Sequence, residues 1–246
     1  MRSAQAETPQ PLLLLGVVRG PVAEGSRVVD ALGAFRPDLL AVGLSPEEVR
    51  ALQLHFSDPY SEPWVPLASA ELAYARGLAR FGPVRVPSPA FLASLGWAGE
   101  HGVEVQGVEP PDDTYSELFL EHVGYFDLLR RTLADRKLQN APPEAEDPEA
   151  FAVRWDARTH PGRGSRRLLE ARGRMTREAL LKLCKSGGSS GDSASLKNRV
   201  ALVVDVERFD PLLHELREAR WSTLQEPPRV AAPPSNAKGN APSSSA

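Results

Sequence analysis

PLLLLGVVRG, Pro11 to Gly20, decides how this chain is read. A continuous apolar run enters a glycine and then reaches an arginine, the pattern of a strand buried on both faces that carries a charged side chain to its end. A second run, VALVVDV from Val200 to Val206, ends similarly, reaching Glu207 and Arg208 just before Pro211 and a helical stretch. Two strands far apart in sequence that both end in arginine predict one shared site.

Outward from the first strand, Gly25 to Phe35 places Val28, Val29, Leu32 and Phe35 at helical spacing, with Ser26 as its expected cap. Arg36-Pro37-Asp38 breaks that helix, and Leu39 to Leu44 is a second buried strand, so the segment reads as a βαβ unit with parallel strands. Ser45-Pro46-Glu47-Glu48 then opens a helix, with a capping serine, a first-turn proline and carboxylates facing the helix dipole. Ala68 to Phe81 is a further helix, Val84 to Val86 a short third strand, and Ser88-Pro89 the start of a helix ended by His101-Gly102. Val103 to Val108 alternates as a fourth strand.

Strand and helix alternate throughout, so the expected fold is α/β: a mainly parallel sheet flanked by helices, in one domain spanning 11–223. Asp112-Asp113-Thr114 opens a long helical stretch that reads as an insertion after the fourth strand, about 112–139. NAPPEAED at 140–147 is a linker, Phe151 to Trp155 a short apolar patch, and Arg163 to Lys185 a helix. Residues 186–196 read as a flexible loop, the last helix as Pro211 to Trp221, and residues 1–10 and 224–246 as disordered tails.

Composition narrows the function classes. The chain has 246 residues, 41% hydrophobic and 25% charged, with a formal net charge of -3, which is ordinary globular usage with no global field for nucleic acid. The local basic run Arg163 to Arg174 reads as a solvated helix face. One cysteine, Cys184, excludes an intramolecular disulfide and a multi-cysteine zinc site. No segment has the roughly 20 apolar residues needed to span a bilayer, and the opening apolar run is too short for a signal peptide. A cytoplasmic location, with no nucleic-acid or membrane partner, is the expectation.

Local motifs for catalysis are missing. The five histidines, His55, His101, His122, His160 and His214, form no HxH, HExxH or HxxxH pair, there is no GxSxG, and the first strand is not followed by GxGxxG. No cofactor is expected. In open parallel sheets ligands bind beyond the carboxyl ends of strands, where Arg19, Ser45, Glu109 and Arg208 lie. Two arginines there could hold a carboxylate or phosphate through forked hydrogen bonds, or each could pair with a nearby acid such as Asp205, Glu207 or Glu109.

The layout resembles the TraB/PrgY/GumN family, related to the Tiki proteases. The resemblance is carried by Gly16-Val17-Val18-Arg19, by Arg36-Pro37-Asp38 leading to Gly43-Leu44, by Arg50, by Glu71 in a middle helix, by Glu170 with Met175, and by Asp205-Val206-Glu207-Arg208. It covers most of residues 11–221. The family's pattern has a histidine where Arg19 and Arg208 stand, a glycine at Asp205 and a glutamate at Gly43. Members with the full set are thought to be metal-dependent hydrolases, and arginine, with no acceptor and no accessible deprotonated form, cannot take over as a metal ligand.

The resemblance therefore implies a degenerate member: a binding or regulatory module whose ligand-binding residues are Gly16, Arg19, Glu71, Glu170 and Arg208. Its ligand would be an anionic small molecule or a peptide carboxylate; a separate reading, independent of the resemblance, is a scaffold that forms a homodimer through the long helical insertion. The alternative is an active peptidase or esterase using a site without histidine.

Overall fold

The computed structural model describes residues 11–57, 69–160, 162–186, 199–218 and 224–225. The elements run β1 (Leu12–Val17), α1 (Ala23–Phe35), β2 (Leu39–Val42), α2 (Pro46–Ser57), α3 (Ser69–Leu78), α4 (Pro89–His101) and β3 (Glu104–Gly107). They continue with α5 (Asp112–His122), α6 (Tyr125–Asn140), α7 (Pro148–Thr159), α8 (Arg163–Ser186), β4 (Val200–Asp205), α9 (Val206–Glu218) and a two-residue β5 (Leu224–Gln225). The fold is α/β, with one all-parallel sheet in the order β3-β2-β4-β1-β5.

Alternating residues of the central strands are buried on both faces, which is why these strands read as unbroken apolar runs. On one face Leu13, Leu15, Val17, Leu40, Val42, Ala201 and Val203 pack with Val28 and Leu32 of α1 and Phe91 and Leu95 of α4. On the other, Leu12, Leu14, Leu39, Ala41, Leu202 and Val204 pack with Leu180 of α8 and Leu212 and Leu216 of α9. A third cluster, Val18, Leu78, Leu138, Phe151 and Trp155, lies beyond the end of β1 beneath the helical layer.

The last long strand sits in the middle of the sheet. β4 lies between β1 and β2, in register from Leu12 opposite Val200 to Val17 opposite Asp205. The helix after β1 covers one face and the helix after β4 covers the other, so their shared carboxyl edge is a crossover point of the kind that forms ligand crevices.

Several sequence expectations are corrected. Val84 to Val86 is no strand of the sheet: Val84 makes a single antiparallel bridge to Pro21, so the helical insertion follows the third strand. That insertion is two helices, because the chain turns extended at Val123 (φ -103°, ψ 103°) and Gly124 (φ -82°, ψ 171°). The patch at Phe151 belongs to α7, whose cap is Asp147, accepting from Ala150 N at 2.7 Å. Ser26 lies inside α1, its hydroxyl donating to Ala23 O at 3.0 Å.

The final helix begins at Val206, five residues before Pro211, which it contains; proline removes only the one N–H that would bond to the Glu207 carbonyl. Glu207 and Arg208 thus belong to a helix's first turn and not to a strand end. Leu224 and Gln225, placed in the C-terminal tail from sequence, pair with Leu12 and Leu13. Residues 1–10, 187–196, 219–223 and 226–246 lie outside the described residues.

Candidate functional site at the carboxyl edge

Just past β1 the chain is turned by Gly20, whose φ of 113° favours glycine and whose missing Cβ leaves room for Val84, 2.9 Å from where it would stand. Gly20 O accepts from Arg85 N at 2.8 Å, which ties the end of β1 to the loop before α4. Arg19 is thereby held at the sheet edge. Its Nε donates to Asp205 Oδ1 at 2.7 Å and its Nη2 lies 2.6 Å from Oδ2, a forked pair, while Phe91 lies under the guanidinium at 5.7 Å. The Asp205 carboxylate beside it holds the Arg19 pKa above the ordinary arginine value.

Arg208 faces a different acid. It pairs with Glu109, just past β3, which is 6% exposed and also takes Arg172 Nε at 3.2 Å, Arg172 Nη2 at 3.1 Å and the Thr176 hydroxyl at 3.4 Å. Burial, and then repulsion from Arg19, lowers the Arg208 pKa to about 10. The two arginines are electrostatic neighbours, each with its own carboxylate.

Glu207, an electrostatic neighbour of the Arg19–Asp205 pair, has a different character. Its Oε2 is buried and accepts no hydrogen bond among the described residues, and burial, followed by the Asp205 carboxylate, pushes its pKa up to about 8. Burial and then the Glu207 and Asp205 carboxylates push the Tyr74 phenol above its usual range as well. The Asp156 carboxylate, 2.8 Å from His160 Nδ1, adds further negative charge to this cluster.

In front of Arg19 lies a cavity of about 320 Å³. Leu44, Leu52, Val84, Pro87 and Phe91 form much of its apolar wall, and Arg19, Glu48, Glu71, Tyr74, Arg85 and Ser88 contribute polar groups. Glu48 is held in a reciprocal capping box at the start of α2, accepting from Ser45 N at 2.8 Å while its own N–H donates to Ser45 Oγ at 3.1 Å. Ser88 precedes α4, yet its side chain makes no capping bond and its buried Oγ has no hydrogen-bond partner among the described residues.

Of the five residues expected to bind ligand, Arg19 and Glu71 line this cavity. Arg208 does not line it and is paired with Glu109. Gly16 lies within β1, where a Cβ would stand 3.0 Å from Phe209 Cδ2, so its smallness makes room for α9. Glu170 is exposed on α8. The sequence reading passed over Tyr74, Ser88 and Phe91. Ser88-Pro89 was legible only as a helix start, and nothing in the sequence distinguished an unused cap from a used one.

The metal that the TraB resemblance implies does not fit these residues. Two ligand positions carry guanidinium groups, and at the third, Gly43, a Cβ would stand 3.0 Å from Val204 Cγ1 and 3.2 Å from its Cα. Among the described residues no group of three or more His, Cys, Asp or Glu side chains could hold a metal ion. No described helix is long and apolar enough to cross a membrane. No model of a known protein family matches the chain, and no curated protein matches it.

Proposed function

We propose that this protein is a binding or regulatory module for a small amphiphile, an apolar body carrying one carboxylate or similar anionic head, seated in the cavity at the carboxyl edge of β1. The carrying observation is the pairing of a buried, unpartnered Ser88 hydroxyl with the Arg19 guanidinium on the wall of one largely apolar cavity. Asp205 occupies Nε and Nη2 of Arg19. Among the described residues the donors of Nη1 remain for an incoming oxygen. Ser88 adds a hydroxyl, and the N-terminus of α4 adds N–H groups that the serine does not cap.

Size and charge restrict the ligand. A cavity of about 320 Å³ is at the small end of ligand sites, room for roughly ten waters' volume. Glu48 and Glu71 face the cavity along with Arg19 and Arg85, which disfavours a polyanion and suits one negative group. On this reading the TraB-like resemblance is a proposal about layout, in a member that has exchanged metal chemistry for anion recognition.

The test is thermal denaturation with medium-chain carboxylates, with the matching alcohols and with acetate. The carboxylate should stabilise by about 2.7 kcal/mol at 100 times its dissociation constant. Ala75→Trp, which fills the cavity, should abolish that shift, and Arg19→Gln should erase the preference for carboxylate over alcohol. No shift with any of these ligands would refute the proposal.

A second reading, hydrolysis by carboxyl groups without a metal, is favoured by Glu207 alone. A carboxyl with its pKa near 8 and an unengaged oxygen is the profile of a general acid or base. Turnover of an ester or peptide that Glu207→Gln abolishes would replace the binding proposal with this one.

A further inference from the structure

Helix α6 is apolar on the side that faces away from the protein. Leu138 is buried in the third cluster, and Leu129, nine residues earlier and therefore half a turn around the helix, is on the opposite side. Around Leu129 lie Tyr125, 75% exposed, Phe126, 74%, and Leu133, 57%. Leu120 of α5, five residues before Tyr125, is 80% exposed. Four large apolar side chains within nine residues of one exposed helix face make a contiguous patch, unlike scattered surface leucines.

Charges flank this strip with opposite signs at its two ends. Exposed Glu121 of α5 lies four residues before Tyr125, next to the start of α6. Exposed Arg136 and Lys137 continue the same face of α6 past Leu133. A surface with an acidic end, an apolar middle and a basic end is complementary to itself after a twofold rotation.

We infer that this face joins two copies of the chain, with the two α6 helices antiparallel and crossing at Leu129. In that arrangement Leu133 of each copy meets Tyr125 of the other, and Lys137 of each comes opposite Glu121 of the other. Each contact occurs twice, as a twofold interface requires. The acidic end disfavours an anionic lipid surface, which would select basic residues on both sides of the apolar strip. The inference does not depend on the ligand cavity, since none of these residues lines it.

Molar mass of the full chain by light scattering, across a concentration series at low and high salt, tests this. The mass should rise toward twice the monomer value with concentration, and salt should shift the transition to higher concentration. Leu129→Asp combined with Phe126→Asp should leave a monomer with unchanged circular dichroism. Glu121→Lys and Lys137→Glu should each weaken the dimer roughly threefold to tenfold, since each exposed pair is broken twice, and together they should restore it. A monomer at every concentration overturns the inference, as does a dimer indifferent to Leu129→Asp. A monomer that co-sediments with anionic vesicles, and loses that binding in the aspartate variant, overturns it in favour of a membrane surface.

Discussion

Arg19 and Asp205 join the ends of two neighbouring parallel strands through a forked ion pair, Nε to Oδ1 at 2.7 Å and Nη2 to Oδ2 at 2.6 Å. The acid is 6% exposed and the arginine 44% exposed, so the pair has one buried partner and one that reaches the cavity. Arg19→Ala leaves a buried carboxylate next to Glu207 and should cost roughly 2 kcal/mol in urea unfolding. The double change Arg19→Ala, Asp205→Ala should cost less than the sum of the two single changes, which a double-mutant cycle measures. Strict additivity would show that the pair contributes nothing.

Glu207 makes stability depend on pH in a defined direction. Its folded pKa of about 8 lies above the ordinary 4.5, so between those values the folded state binds more protons than the unfolded state. Its contribution is fully present below pH about 4.5 and is lost as pH rises through about 8. Glu207→Gln should flatten the fall in stability over that window and leave the protein more stable than wild type on its alkaline side. Melting temperatures at a series of pH values check this. A wild-type profile that rises through the window and is unchanged in Glu207→Gln would contradict it.

Glu109 is the acid on which Arg172 and Arg208 converge. Glu109→Ala strands two guanidinium groups beneath the sheet edge and should cost about 3–5 kcal/mol by denaturant unfolding. Glu109→Gln keeps one acceptor and should cost less. Equal losses in the two variants would mean that charge, and not hydrogen bonding, is what the site requires.

Gly77 lies under the aromatic cluster of the helical layer, and a Cβ there would stand 2.2 Å from Phe151 Cζ. Gly77→Ala should destabilise by about 1–3 kcal/mol through overpacking, in spite of alanine's better helix propensity. Gly99, where a Cβ meets nothing within 4 Å, is the control: Gly99→Ala should be neutral or stabilising.

Much of the fold was legible because its signals are local. The double-faced burial of β1 and β4 requires unbroken apolar runs, and Ser45 with Glu48 spells a capping box within four residues. The errors came where a neighbour decides. Val84 has the composition of a strand residue, yet among the described residues its only bridge is to Pro21, and Val206, read as the last residue of the final long strand, instead opens α9.

The sequence by itself determined an α/β chain with parallel strands, an arginine just past the first strand and another just past the last long one, and acids near enough to oppose them. Only the tertiary structure decided that β4 enters between β1 and β2, because strand order is a long-range choice with no local code. That choice sets Asp205 against Arg19, leaves a buried Glu207 oxygen without a partner among the described residues, and brings Ser88 to the same cavity as Arg19. Burial and proximity across the fold, which no spacing in the chain records, set those charges and hydrogen bonds.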